Sequence, residues 1–151
     1  MDIYFFNNLI LFFGLMILAV EDHESGLISN KKLLLLAAYR LISDVLFILY
    51  LHFVEKSPAV AQIKDLYSRL FLSIIVTLIL FLSSLVFSEA MGMGDVKLIG
   101  TLALYLGSGA LFLMLLSFIV LFIRAAFLKL MKHGVDKLTL APSILIAYII
   151  F

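Results

Sequence analysis

Long apolar runs separated by short polar clusters extend along the whole chain. The first, residues 4–20, is closed by Glu21-Asp22-His23-Glu24 and by Ser25-Gly26, which breaks the run. No basic segment precedes it and no small-residue cleavage site follows it, so it is expected to stay as a first helix and not to be removed as a leader. Asn30 suits the N-cap of a second helix over residues 31–54. Residues 55–68, with Pro58, read as a loop carrying an amphipathic turn or two on the membrane surface, and residues 70–87 form a third span. A polar, glycine-bearing interruption follows, Glu89-Ala90-Met91-Gly92-Met93-Gly94-Asp95-Val96-Lys97. It opens a fourth helix over residues 92–106, about 22 Å long at 1.5 Å per residue and short of a ~30 Å hydrocarbon core. Local thinning, or a start inside the membrane, would let water reach Asp95. Gly107-Ser108-Gly109 makes a turn, residues 110–130 a fifth span, residues 131–137 a basic loop and residues 138–151 a short sixth span.

With 65% hydrophobic and 14% charged residues, the 151-residue chain departs from soluble domains, whose apolar share is about half. It reads as an all-α polytopic membrane protein of six transmembrane helices in the lipid bilayer, one domain over residues 1–151, without linker or repeat. A net charge of +1 and the lack of a basic-aromatic patch give no reason to expect nucleic acid as a partner. The absence of cysteine excludes disulfides, cysteine-ligated zinc, iron–sulfur clusters and thiol catalysis. No cofactor or metal is expected. Orientation follows from basic residues: Lys31, Lys32, Lys97, Arg124, Lys129, Lys132 and Lys137 flank the loops after spans one, three and five, against Lys56, Lys64 and Arg69 on the other face. Seven against three makes the odd-numbered loops cytoplasmic and both termini external. Asp22 and Asp95 then lie at the same, cytoplasmic, edge.

An acid within or at the lip of a membrane is costly and is a functional hypothesis by default. Two aspartates from separate helices can share a proton and activate a water: one carboxylate takes the water's proton while the other, protonated, polarises a scissile carbonyl. Such a pair titrates as a unit. The plainer alternative makes Asp22 a solvated loop acid beside Glu21 and Glu24, and Asp95 a helix cap. Gly92 and Gly94 would let an extended substrate backbone approach closely, or would simply turn the chain into the fourth helix. Lys97, two residues past Asp95, points away from that carboxylate on a helix; it snorkels to the interface or receives an acidic substrate residue. Arg40 and Asp44, at i and i+4, share a helical face and suit mutual neutralisation within the second span. His23 reads as a loop histidine. HExxH is absent, and Gly107-Ser108-Gly109 with His133 lacks the GxSG of rhomboid-like serine proteases.

Gly92-Met93-Gly94-Asp95-Val96-Lys97 resembles the GxGD signature of intramembrane aspartic proteases, in the GxGDxK form of type IV prepilin peptidases. Those enzymes place Ile-Pro-Asn six to eight residues after their first catalytic aspartate, and Ile28-Ser29-Asn30 stands at that distance from Asp22, with Ser29 in place of the proline. Thr139-Leu140-Ala141-Pro142-Ser143 resembles their proline-containing C-terminal segment and keeps one of its two prolines. Pro142 would then help to bind substrate; it equally suits the first turn of a helix. The resemblance implies an aspartic endopeptidase with Asp22 and Asp95 as catalytic residues. Its substrate would be a prepilin-like precursor, with an apolar helix after a short leader, cut at the cytoplasmic edge of the inner membrane. Longer relatives carry an N-terminal segment with two CxxC pairs; without cysteines, N-methyltransferase activity is not expected. A reading from another class is a small transporter or assembly subunit that uses Asp95 and the Arg40/Asp44 pair for ion or proton movement.

Overall fold

The computed structural model describes residues 3–54, 59–86, 92–130 and 139–151 as six helices. They are α1 (Ile3–Ser25), α2 (Asn30–Phe53), α3 (Val60–Val86), α4 (Met93–Leu106), α5 (Gly109–Leu130) and α6 (Leu140–Ile150). Glu89, Ala90, Met91, Lys56, Pro58, His133 and the basic loop over 131–137 lie outside the described residues.

Two boundaries differ from the sequence reading. Helix α1 does not stop at Val20 but continues to Ser25, because polar side chains at its end do not oppose helix formation and the stop signal lies further on. Gly26, at φ 65°, supplies the left-handed residue that ends helices, and its N–H donates to the Asp22 carbonyl at 2.9 Å. Asp22 therefore stands in the last turn of a helix and not in a loop. Residues 60–68, expected as loop, are the first turns of α3. The Ile63 N–H donates to the Ala59 carbonyl at 3.0 Å, and Asp65 and Arg69 pair one turn apart at 3.1 Å.

Consecutive helices run up and down. Asn7 accepts a hydrogen bond from Ser43, and Glu21 pairs with Lys32, so α1 and α2 are antiparallel. Ser84 reaches Met93 at one end of the α3–α4 pair and Arg69 reaches the Leu104 carbonyl at the other. Tyr148 donates to the Asn8 carbonyl near the start of α1, while Asp22, near its end, meets Ala141 at the start of α6. The ends of α1, α3 and α5 thus share one end of the bundle with the starts of α2, α4 and α6.

Helix α4 is the buried centre and packs against every other helix. Val96 and the whole stretch 98–105 are buried, and Leu98, Ile99, Leu102, Ala103 and Tyr105 join Leu11, Leu15, Leu18, Leu113 and Ile144 in one core. Close approach of α3 to α4 depends on Gly100: a Cβ there would run into Thr77, and Ser73 donates to the Gly100 carbonyl at 2.7 Å. Around this centre, α1, α2, α3 and α5 keep broad apolar outer faces. Leu34, Phe71 and Phe122, at 71%, 68% and 75% exposure, belong to a surface far more apolar than water tolerates on a monomer. Among the described residues, four helices are long and apolar enough to cross a bilayer, over Phe5–Ser25, Asn30–Phe53, Val60–Leu85 and Gly109–Phe127. Helix α4, with 14 residues, and α6, with 11, are shorter.

Candidate active site

Asp22 and Asp95, far apart in sequence, line one cavity of about 280 Å³. Gly26, Leu27 and Ile28 of the α1–α2 connection, Asn30, Gly92, Met93, Gly94 and Lys97 complete its wall. The cavity sits where α1 ends and α2 and α4 begin, and the start of α6 meets Asp22, so three helix N-termini, whose first N–H groups lack intrahelical partners, gather around two acids.

Each carboxylate is held by a different helix start. Asp95 is the third residue of α4, and its Oδ2 lies beside Gly92, the N-cap, 3.6 Å from where a Cβ on that glycine would stand. This is the position of the acidic half of a capping box, in which the third helical residue reaches back to its cap. Asp22, only 5% exposed, is held from across the bundle: the Ala141 N–H in the first turn of α6 donates to its Oδ2 at 3.1 Å. The N-cap Thr139 makes no side-chain cap bond, so a carboxylate from α1 serves that turn instead. Glu21 turns elsewhere, accepting the Ser29 N–H at 3.3 Å and pairing with Lys32 at 3.2 Å. His23 is exposed. The chain thus separates one buried acid from its acidic neighbours.

Gly92 is extended, at φ −73°, and among the described residues a Cβ on it would touch Asp95 Oδ2, at 3.6 Å. Gly94 is small for a packing reason: a Cβ there would come within 3.2 Å of Ile28, on the α1–α2 connection. Neither adopts the left-handed backbone that only glycine takes easily. Lys97 is exposed and donates to Asn30 Oδ1 at 2.9 Å, so it lines the cavity while bonding α2. Asn30 is the first residue of α2, and the cap position belongs to Ser29, which corrects the capping role expected for Asn30. Pro142 does not line the cavity; the residue before it, Ala141, supplies the contact with Asp22. No sequence signal marked Ala141, since a backbone N–H belongs to every residue but proline.

The other ionisable cluster lies away from this cavity. Arg40 and Asp44 pair at 3.2 Å as expected, but Arg69 joins them, 2.9 Å from Asp44, and also bonds Asp65 and the Leu104 carbonyl. Arg69, counted from sequence among loop charges, is 6% exposed inside the bundle. The Arg40 guanidinium also lies over the Tyr105 ring, 5.5 Å from its centre. Among the described residues, no group of three or more His, Cys, Asp or Glu side chains converges as a metal would require.

An all-helical bundle with four helices able to cross a bilayer and two acids facing one cavity defines a class of membrane protein with a polar site at one end. Residues 9–129 match the model of the type IV leader peptidase family, and the chain belongs to that family. It is accordingly a multi-pass membrane protein and a protease of the leader peptidase kind. No curated protein and no solved structure matches it. The matched segment includes Asp22 and Asp95 and ends before α6, whose first turn nonetheless touches Asp22.

Proposed function

We propose that the protein is an aspartic endopeptidase that removes the short leader of type IV prepilin-like precursors, with Asp22 and Asp95 as its catalytic pair. The observation that carries this reading is the shared cavity of those two carboxylates. One carboxylate takes a proton from a water while the other, protonated, donates to the scissile carbonyl oxygen, and the water oxygen bonds to the carbonyl carbon. The first carboxyl then returns its proton to the leaving amine as the C–N bond breaks, and the second recovers its proton from the tetrahedral hydroxyl. Two like charges facing one cavity suit a single shared proton. Gly92, Gly94 and Lys97 line the path of the substrate backbone, and Pro142 supports the first turn of α6.

In this reading all six helices lie in the inner membrane as one domain, with both termini external. The cavity opens on the cytoplasmic side, where Lys31, Lys32 and Arg124 gather. The apolar helix of the precursor rests in lipid against the bundle while its leader junction enters the cavity. The test is co-expression of a prepilin-like precursor with wild type, Asp22→Asn and Asp95→Asn, read as a mobility shift and confirmed by the mature N-terminus. Cleavage by wild type alone, with all three inserted in the membrane, is the expected result. Full cleavage by Asp95→Asn would overturn the mechanism.

A further inference from the structure

A second recess of about 480 Å³ begins where the catalytic cavity ends, for Asn30 and Lys97 line both. It runs between α2 and α3 over the face of α4. Leu33, Leu34 and Ala37 form one wall, Ser73 and Thr77 the other, and Gly100, Thr101 and Leu104 the floor. From Asn30 to Ala37, and from Lys97 to Leu104, it descends seven residues along α2 and α4, about 10 Å or two helical turns.

Its far end is closed. One turn beyond Ala37 and Ser73 stand Arg40 and Arg69, and the bond of Arg69 to Asp44 ties α3 to α2, while Arg69 also holds the Leu104 carbonyl at the end of the floor. The two helices are tied at the ion network, and the recess between them meets the cavity at its other end through Asn30 and Lys97, as a wedge would. Apart from Leu33, Leu34 and Leu104, its lining is small or short: Ala37, Ser73, Thr77, Gly100 and Thr101. Small side chains let a neighbouring helix approach closely inside a membrane, where packing and not hydrophobicity drives association.

We infer that this wedge receives the first two turns of the apolar helix that follows the scissile bond of the precursor, and that the ion network sets where that helix leaves the protein for lipid. The inference rests on the proposed peptidase activity. It commits to this occupant because the wedge adjoins the cavity at Asn30 and Lys97, whose exposed hydrogen bond a chain leaving the cavity displaces on entering, and because the following segment must satisfy its own backbone as a helix in the membrane.

The natural chain contains no cysteine, which makes disulfide cross-linking clean. In an Asp95→Asn background that retains the precursor, cysteines at Leu34 and Thr77 are paired one at a time with cysteines along the precursor helix. Cross-links at both walls, confined to the first two turns and recurring with helical period, are expected, with none at an exposed position of α5 such as Phe122→Cys. Cross-links spread equally to Phe122→Cys, or none at either wall while the wild-type protein cleaves the precursor, would overturn the wedge and leave the peptidase reading standing. Failure of wild type to cleave would overturn both. An Ala37→Trp variant with unchanged thermal stability should lose about tenfold or more in kcat/KM on the full precursor, because remote binding energy is spent at the reacting bond. Wild-type kcat/KM in that variant would also sink the proposal.

Discussion

Two clusters of ionisable side chains lie inside the same bundle and are built on opposite terms. Around Asp44, opposite charges interlock: Arg40 and Arg69 both reach its carboxylate, and all three are under 10% exposed. Around Asp22 and Asp95, two acids face a common cavity, and the partner that holds Asp22 is the backbone N–H of Ala141. A paired charge in a membrane is structure, since each group repays part of the desolvation of the other. Two acids facing space that water can enter suit, in the proposed reading, acid–base chemistry, for a proton has somewhere to go. The distance along the short α4 that separates the two clusters lets one helix serve both, with Asp95 in its first turn and the Leu104 carbonyl, held by Arg69, at its end.

The contrast is broken most forcefully by neutralising the acids of the cavity. Asp22→Asn and Asp95→Asn should each lower leader cleavage by about 10²- to 10⁴-fold, the usual scale of acid–base catalysis. Thermal midpoints in detergent should stay level or rise, because a neutral amide costs less to hold out of water than a carboxylate. A large fall in midpoint for either variant would make that acid a structural group like Asp44.

The converse holds at the other cluster. Asp44→Ala leaves Arg40 and Arg69 buried beside each other and should cost about 3–5 kcal/mol, measured as a shift of the unfolding midpoint. Replacing Asp44, Arg40 and Arg69 together with apolar residues should recover much of that loss, because the desolvation penalty leaves with the charges. A triple variant as unstable as Asp44→Ala would mean that the network is valued for its bonds and not merely for neutrality.

Between these extremes stands the Ala141 N–H. Replacing the amide at residue 141 by an ester, with lactate in place of alanine, deletes the donor and leaves shape and helix intact. Hydrogen bonds to charged groups are worth about 1.5–3 kcal/mol, so kcat should fall by about ten- to a hundredfold. KM should hold. An unaltered kcat would reduce Asp22–Ala141 to a helix cap.

Much of this was legible from residue order. Apolar runs locate six helices, since burial in lipid or core needs long unbroken stretches, and the GxGD spacing singles out Asp95 while the acid closing the first run singles out Asp22. What could not be read is what depends on tertiary contact. The polar end of α1 looked like loop because solubility and helix formation were treated as one signal, whereas Gly26 decides the stop. Arg69 looked like a loop cation because residues 60–68 are polar enough to lie in water; only the packing of α3 on α4 carries it to Asp44. Pro142 stands out by the likeness of its segment to the family's C-terminal one, yet it is the featureless Ala141 that meets Asp22.

The smallest expected effect tests where the paired cluster ends. Asp65 bonds Arg69 at 3.1 Å, as Asp44 does at 2.9 Å, but its side chain is 50% exposed against 10% for Asp44. Solvent screens such a pair, and exposed ion pairs contribute about 0–1 kcal/mol. Asp65→Asn should therefore shift the unfolding midpoint within that range and leave leader cleavage unchanged, although its geometry is nearly that of the buried bond. A loss comparable to that of Asp44→Ala would place Asp65 inside the membrane's low-dielectric zone and extend the sealed end of the wedge by a full turn of α3. A loss within the exposed range puts the boundary between lipid-shielded and water-screened charge between residues 65 and 69, one turn apart on the same face.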